Sequence, residues 1–487
     1  MTRDDLQKLL ADVAQGRIAV IGDYCLDAYW FIDRAREETS LETGLTTLPV
    51  RRQRYSLGGA GNVAMNLVAM GVRQVSAFGV VGDDPFGQEM LRLLSSNGVN
   101  ADGMLTQREG WNTHIYTKPY KDDKELNRVD FGNYNELSDD AAAGLLAALE
   151  KAMEVTDLVI INEQVSSGIH NSAYFRGKLA ELVAGHPERT FVLDSRHHSD
   201  AYPGAVRKIN DHEAARLCGV RRAPGELVLY AEAAMSAQTL YRKLKKPVFV
   251  TRGPRGCLVF ESKGLEEIAG LQILGRVDTV GAGDSMLAGI AAALAAGRDN
   301  VTAAALGNFV AGVTVQKLFQ TGTATPEEIL DIGADPDYIY RPELAEDPRQ
   351  ARYALNTEFE IVTDLPRGAR FSHAIFDHDG TISTLRQGWE QIMEPVMIKA
   401  ILGKKFQDAD ESLYQKVVQR VREYIDKTTG IQTLAQMEGL VELVREFGLV
   451  PSSLVQDAAG YKRIYNDALM GLVRERIAKF ERGELNV

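Results

Sequence analysis

Over the first two thirds of the chain, apolar residues come in short runs separated by glycine, aspartate and charged segments. Residues 17–22 (RIAVIG), 75–81, 114–118, 158–161, 190–193 and 248–250 read as strands. Between them, residues 141–153 and 177–184, and a run ending at Ser96, read as helices. Strand runs alternating with helical runs predict a largely parallel sheet covered on both faces. Residues 28–57 break this rhythm. Residues 46–55 (TTLPVRRQRY) are extended, carry Pro49 and alternate in charge, so they predict a small strand excursion that could act as a lid. An open edge strand needs cover, and pairing with a second copy predicts a homodimer through this lid. Further on, Pro336, Pro342, Pro348 and Pro366 lie among many charges and predict a linker over 336–370. Residues 371–376 (FSHAIF) then read as one strand, and residues 388–482 as nearly continuous helix, clearest at 411–424 and 433–447.

At 487 residues the chain is too long for one core, so we divide it into 1–335, a linker at 336–370, and 371–487. A net charge of -12 without a dense Lys/Arg tract argues against nucleic acid as a partner. Cys25, Cys218 and Cys257 are odd in number and far apart, as expected of reduced thiols in a cytoplasmic protein. The start, MTRDDLQKLLADVAQ, has no apolar core of a signal peptide, and no run of about 18 apolar residues predicts a membrane span.

The candidate chemistry centres on residues 276–293, where Gly281-Ala282-Gly283-Asp284 runs into an Ala-rich helix. Glycines let the backbone approach a ligand, and the first helical turn presents free N–H groups to an anion. Asp284 fits either an N-cap or a base that takes a proton from an incoming hydroxyl. A second glycine-rich stretch, Gly58-Gly59-Ala60-Gly61-Asn62, also opens a helix. Bare backbone there suits a sugar lying close, and Asn62 offers donor and acceptor. Gly59 to Ala64 equally fits GxGxxA, which keeps a dinucleotide-dependent oxidoreductase as an alternative. Asp23 and Asp27, after the first strand, are candidates for sugar hydroxyls. Asn210 and Glu213 could organise Mg²⁺ near phosphates or form a capping box. The turn containing Thr251, Gly253 and Gly256 could admit a nucleotide. His197 and His198, adjacent in a polar loop, lack the spacing of metal ligands.

Together these residues resemble the ribokinase-like, phosphofructokinase-B type sugar kinases over residues 15–330. GGAGNVAMNLVAMG and DTVGAGDSMLAG look like that family's two signatures, with Asn210-Asp211-His212-Glu213 between them as its NxxE element. RIAVIGDYCLDAYW, LNRVDFGN and GTATPEEI are similar to the kinase half of heptose-7-phosphate kinases. The resemblance implies a three-layer α/β/α sandwich with a small β lid, using ATP and Mg²⁺ to phosphorylate a sugar or sugar phosphate. It implies Asp284 as base, and Gly281, Ala282, Gly283 and Asp284 as the amide hole for the phosphoryl group. It implies Asp23, Gly58, Gly59 and Asn62 on the sugar, and Asn210 and Glu213 on Mg²⁺ and phosphate. Thr251, Gly253, Gly256 and Asn308 would surround the nucleotide, and Asp278-Thr279 a monovalent cation. Two stretches depart from heptose kinases: Asn162 to Gly168 stands for Asp-Tyr-x-Lys-Gly, and Asp194-Ser195-Arg196 for Asp-Pro-Lys. No histidine sits in an HxGH motif, so no nucleotidyltransferase activity is expected. A sugar- or nucleotide-binding regulator on the same scaffold is the non-enzymatic alternative.

After the linker, Asp377-His378-Asp379-Gly380-Thr381 resembles the first motif of the haloacid dehalogenase superfamily, with Asp377 as nucleophile, Asp379 as acid/base and both on Mg²⁺. The superfamily's later motifs have no counterpart in the remaining residues. The expectation is a partial module, one strand plus a helical cap, without phosphatase activity of its own and open to a protein partner that completes it.

Overall fold

The computed structural model describes the chain except residues 122–123, 224–225, 274–276, 318–320, 340–351, 356, 358–360, 362–367, 369, 371, 377, 379–381, 384–388, 410, 429 and 485–487. It divides into two compact units, Met1–Val362 and Thr363–Val487. The strands of the first unit are β1 (Arg17–Gly22), β2 (Tyr24–Ile32), β3 (Val50–Gly59), β4 (Gln74–Gly82), β5 (Asn100–Gln107), β6 (His114–Lys121), β7 (Lys124–Glu125), β8 (Val129–Phe131), β9 (Leu158–Glu163), β10 (Thr190–Ser195), β11 (Val206–Asn210), β12 (Val248–Thr251), β13 (Cys257–Glu261), β14 (Gly264–Ile268), β15 (Gly270–Leu271) and β16 (Tyr338–Ile339). Its helices are α1 (Arg3–Val13), α2 (Ala60–Ala69), α3 (Pro85–Ser96), α4 (Asp139–Met153), α5 (Ala173–Gly185), α6 (Asp211–Leu217), α7 (Tyr230–Leu244), α8 (Ala282–Ala295), α9 (Asn300–Thr314) and α10 (Pro326–Ala334).

Nine strands form one sheet in the order β14-β13-β12-β11-β10-β9-β1-β4-β5. The run from β12 to β5 is parallel, and β13 and β14 are antiparallel additions at one edge. Each central strand is buried on both faces and splits its side chains by alternation. Ile18 and Val20 of β1 join a core with α1, α2, α8 and α9, while Ala19 and Ile21 join the opposite core with α4 and α5. Helices α6 and α7 close the second face beside β11 and β12. Helices α8 and α9 meet at glycines: a Cβ on Gly289 would stand 2.6 Å from the Gly307 Cα.

A second sheet, β3-β2-β6-β7 with β8 on β6, is the lid. The extended excursion expected within 28–57 is present, and β2 supplies its central strand, leaving β1 after the single residue Asp23. Residues 114–118, read as part of the main sheet, lie instead in β6 of the lid, paired parallel to β2. An isolated strand looks the same from its sequence in either sheet; pairing decides. The linker expectation also needs correction at its start. Tyr338 and Ile339 pair antiparallel with Leu271 and Gly270, so the first unit continues past residue 335.

In the second unit, α11 (Glu390–Leu402), α12 (Glu411–Thr428), α13 (Thr433–Phe447) and α14 (Ala458–Glu481) pack around their own core, including Met397, Val421, Leu440, Val444 and Tyr465. Their apolar residues at helical spacing explain the bundle. The strand expected over 371–376 is not formed by the described residues 372–376, where Ile375 and Phe376 are exposed. Asp377 and Asp379 lie outside the described residues.

Candidate active site

Parallel strands align their carboxyl ends, and α/β proteins bind ligands along that edge. Here β1, β9, β10, β11 and β12 end side by side at Gly22, Glu163, Ser195, Asn210 and Thr251. Gly281 adopts a left-handed conformation (φ 80°), which turns the chain into the first turn of α8. A side chain there would also stand 2.7 Å from the Asn62 Nδ2 atom. That space lets Asn62 Nδ2 donate to Asp284 Oδ2 at 3.0 Å, joining the two glycine-rich stretches read from the sequence. Asn66 Nδ2 donates to Asn62 Oδ1 at 3.2 Å and fixes which end of the Asn62 amide faces Asp284.

Asp284 is half-buried, and burial pushes its carboxyl up to about 6. The Asn62 amide offsets part of that rise, Asp194 adds to it, and the Lys208 ammonium opposes it. The expected amide hole is smaller than the sequence suggested. Ala282 donates its N–H to Thr279 O at 3.2 Å within the turn, so it is occupied. The N–H groups of Gly283 and Asp284 have no acceptor among the described residues, as first-turn amides of a helix do.

Across the edge, the sugar-side candidates divide. Asp23 is buried, and both its oxygens are occupied: Oδ2 accepts from Gln164 N (3.0 Å) and Val165 N (3.1 Å), and Oδ1 from Ile169 N (3.0 Å). These three bonds hold the loop after β9 and leave Oδ1 with a single partner. Asp27 pairs with Lys118 at 2.8 Å in the lid. Gly58 lies opposite Cys25, and a Cβ there would approach Asp27 Oδ2 to 3.2 Å. Gly59 has φ 57°, and a Cβ would sit 2.5 Å from Asp23 O, so only glycine lets β3 turn into α2 at this point.

On the other side, Asn210 and Glu213 form the capping box of α6. Asn210 Oδ1 accepts Glu213 N at 2.8 Å, and Glu213 Oε2 accepts Asn210 N at 3.3 Å. Burial, with Asp194 nearby, raises the Glu213 carboxyl above its ordinary range. Thr251 closes β12 opposite Asn210. Beyond it, a cleft of about 480 Å³ is lined by Gly253 with Asp211, His212, Glu226, Leu227, Val228, Arg252 and Arg255. Gly256 and Asn308 support this region without lining the cleft. A Cβ on Gly256 would stand 2.0 Å from Ile268 O, and Asn308 Nδ2 donates to Ala269 O at 2.9 Å.

A family model described as pfkB family carbohydrate kinase matches residues 16–328. The chain belongs to the pfkB family of carbohydrate kinases. It is 30% identical over 322 residues to the D-beta-D-heptose 7-phosphate kinase of Bordetella bronchiseptica, covering 65% of this chain and 96% of that one. It is 31% identical over 340 residues to the bifunctional protein HldE of Caulobacter sp., covering 68% of this chain and 67% of that protein. The fold is shared with phosphofructokinase-2 from Escherichia coli, solved with potassium (TM-score 0.52, 19% identity, 66% of this chain and 99% of that one). Arabidopsis thaliana ribokinase, solved with ribose and ATP, is similar in fold at TM-score 0.50 and 17% identity, over 66% of this chain and 99% of that one.

As a pfkB kinase the chain leaves no place for the dinucleotide reading of Gly59 to Ala64. That fingerprint must follow the first strand of a βαβ unit, whereas here it follows β3 of the lid. The family match ends at residue 328, so the haloacid dehalogenase likeness of the later residues rests on the motif at 377–381 alone. Sequence reasoning also passed over several residues at the edge of the sheet. Lys208 Nζ pairs with Asp194 Oδ2 at 2.7 Å, both nearly fully buried. Asp194 holds the ammonium above its ordinary range against the pull of burial. Two adjacent cations, Arg207 and Lys208, inside a five-residue strand were the available signal. Glu163 is buried and accepts from Ser195 Oγ (2.7 Å), His197 N (2.7 Å) and His197 Nδ1 (2.6 Å), which gives His197 a hydrogen-bonding role. The lid presents a third set. Arg52 lies over Phe31, Arg54 and Lys118 over Tyr29, and Arg128 over Tyr116, at 4.3 to 5.1 Å from the ring centres.

Proposed function

We propose that this kinase transfers the γ-phosphoryl group of ATP to a hydroxyl of a phosphorylated sugar, a heptose phosphate being the leading candidate. The observation that carries the reading is the Asn62–Asp284 contact, which brings the two glycine-rich helix starts together around one carboxylate. A sugar hydroxyl is a weak nucleophile. Asp284 takes its proton as the oxygen bonds to phosphorus, a contribution of ~10²–10⁴-fold. The open amides of Gly283 and Asp284 donate to the phosphoryl oxygens at the positive end of α8. Gly281 gives the turn its shape, and Ala282 closes it. Gly58 and Gly59 let the sugar lie against bare backbone, with Asn62 beside it. The nucleotide occupies the cleft beside Gly253 and Arg252, over the turn built on Thr251 and Gly256.

Magnesium fits the raised carboxyl of Glu213, one of whose oxygens is spent on the capping box. When bound, it would neutralise phosphate oxygens. The Asp278-Thr279 turn is the candidate for a monovalent cation, by likeness to a potassium-containing relative in fold.

The lid favours a phosphorylated sugar over a neutral one. Along its ladder, Arg54–Tyr29–Lys118 lies two residues outward from Ser56–Asp27–Tyr116, which in turn borders Gly58–Cys25–His114. Alternation puts these residues on one face, where Lys118 is paired with Asp27 and Arg128 with Asp130, so a sugar phosphate there would share the two paired cations with those carboxylates and would meet Arg54 beside them. The test is an ADP-release assay over neutral and phosphorylated sugars, heptose-7-phosphate included, with wild type and Asp284→Asn. Turnover with a phosphorylated sugar, lost in the variant, supports the reading. ATP binding without turnover on any sugar would favour the regulator instead.

Two assembly readings follow. Leu41, Leu45 and Leu48 are exposed just before β3, the edge strand of the lid, and a homodimer through the lid would cover them. A monomer at micromolar concentration by light scattering counts against it. The second unit is read as a partial module open to a protein partner, without phosphatase activity of its own.

A further inference from the structure

We infer that Asn66 is a positioning residue for the transfer: it locks the Asn62 side chain so that its amide N–H, and never its carbonyl oxygen, faces Asp284. The inference rests on the kinase reading above and deepens it. Asn62 and Asn66 stand four residues apart on one face of α2, and both are buried. Their neighbours Val63, Ala64 and Leu67 belong to the apolar core. An amide at position 66 therefore costs stability unless it is fully hydrogen-bonded. It is bonded at one end only. Asn66 Oδ1 is buried without a donor among the described residues. A buried acceptor left in that state is uncommon and calls for a reason.

The other end of the side chain supplies it. Asn66 Nδ2 donates to Asn62 O (3.0 Å), Asn62 Oδ1 (3.2 Å) and Gly322 O (3.4 Å). Two of these acceptors are backbone carbonyls, which cannot become donors. Turning the Asn66 amide over would set its oxygen against them, so the backbone of α2 and of the segment before α10 fixes its orientation. With Nδ2 held there, an N–H faces Asn62 Oδ1. The Asn62 amide is fixed in turn, and its Nδ2 donates to Asp284 Oδ2 at 3.0 Å. Two amides in series thus carry the direction of fixed carbonyls to the carboxylate.

A free amide serves either state of a carboxyl group: its N–H donates to the carboxylate, and its oxygen accepts from the protonated form. Locked, Asn62 serves the carboxylate alone. Asp284 is then held ready to take the sugar proton while the bond from phosphorus to the sugar oxygen forms and the bond to the ADP oxygen breaks. The charged and titratable groups around Asp284 lie on other elements. They are Cys25 on β2, Asp194 at the end of β10, Arg196 after it, and Lys208 on β11, whose Nζ a Cβ on Gly283 would meet at 3.1 Å. Helix α2 carries no charged residue, so a substitution at 66 changes the amide pair and leaves those groups in place.

The experiment follows kcat/KM by ADP release from about pH 4 to 8, using the full chain, a phosphorylated sugar and saturating ATP. Wild type should show an acid limb near 6. Asn66→Leu frees the Asn62 oxygen to accept from protonated Asp284, and one such hydrogen bond should move the limb up by about half to one pH unit. Below the limb the variant should then fall ~3–10-fold further behind its own plateau than wild type does. Its melting temperature should change little, because the unpaired oxygen goes with the amide. Asn66→Ala carries the same expectation for the limb should the leucine variant not fold. A limb that stays in place in these variants, with or without a lower plateau, would overturn the inference. So would folded variants without turnover at any pH, or failure of both to fold, since each assigns Asn66 a different role. Wild type that turns over without an acid limb would overturn the base assignment beneath the inference, and wild type without turnover on any sugar the kinase reading itself.

Discussion

Replacing Asp284 by asparagine should abolish turnover while leaving the fold slightly more stable at neutral pH. Burial holds the Asp284 carboxyl at about 6 where 3.8 is ordinary. At 1.36 kcal/mol per decade, that difference favours the uncharged form by roughly 3 kcal/mol. Asparagine is uncharged and nearly isosteric, so it removes this cost. Its carbonyl oxygen can still accept from Asn62 Nδ2, and the raised value already contains the opposing pull of the Asn62 amide and the Lys208 ammonium, so neither is subtracted again. The net gain at neutral pH is at most about 3 kcal/mol, or a few degrees in melting temperature for a unit of this size. The gain depends on pH. Because the folded carboxyl titrates above its unfolded value, its uncharged form is favoured in the native state at low pH, and that stability is lost as pH rises through about 6. Wild type and variant should therefore melt together below pH 4, diverge between 4 and 6, and stay apart above. Turnover should fall by ~10²–10⁴-fold, equivalent to about 3–5 kcal/mol of barrier. The assays are ADP release under saturating ATP and thermal melting from pH 4 to 8. An asparagine variant that keeps a tenth of wild-type turnover would falsify the base assignment. A melting temperature lower by several degrees at pH 8 would refute the electrostatic reasoning.

Other positions give sharper structural tests. In wild type, kcat/KM should rise with pH on an acid limb near 6 as Asp284 loses its proton, and the limb should be absent from the residual activity of Asp284→Asn. Asp23→Asn turns an acceptor into an NH₂ group facing backbone N–H donors, so it should cost about 1–3 kcal/mol, read as a drop in melting temperature with protease sensitivity appearing in the 164–169 loop. Gly289→Ala places a methyl 2.6 Å from the Gly307 Cα and should cost about 1–3 kcal/mol by denaturant titration, with more if α8 moves away from the site. Arg54→Gln should raise KM for phosphorylated sugars and leave KM for ATP unchanged. The purified chain should not hydrolyse p-nitrophenyl phosphate, and hydrolysis that Asp377→Asn removes would show a working second module.

By itself the sequence determined the alternation of strands and helices, the two glycine-rich helix starts and the carboxylate between them. Those features are local: strand and helix period, a turn that needs glycine, and an acidic residue in a first helical turn can all be read over a dozen residues. The tertiary structure decided which carboxylates remain open. Asp23 and Asp284 look alike as Gly-Asp steps, yet a loop 141 residues away supplies Asp23 with three amides, while Asp284 receives one. It also decided that 114–118 belongs to the lid, that Asn210 and Glu213 close on each other, and that Lys208 reaches the start of α8. Each of these depends on pairing between segments remote in sequence. No local pattern encodes it, because hydrogen-bond capacity and burial are settled only when the other partner arrives.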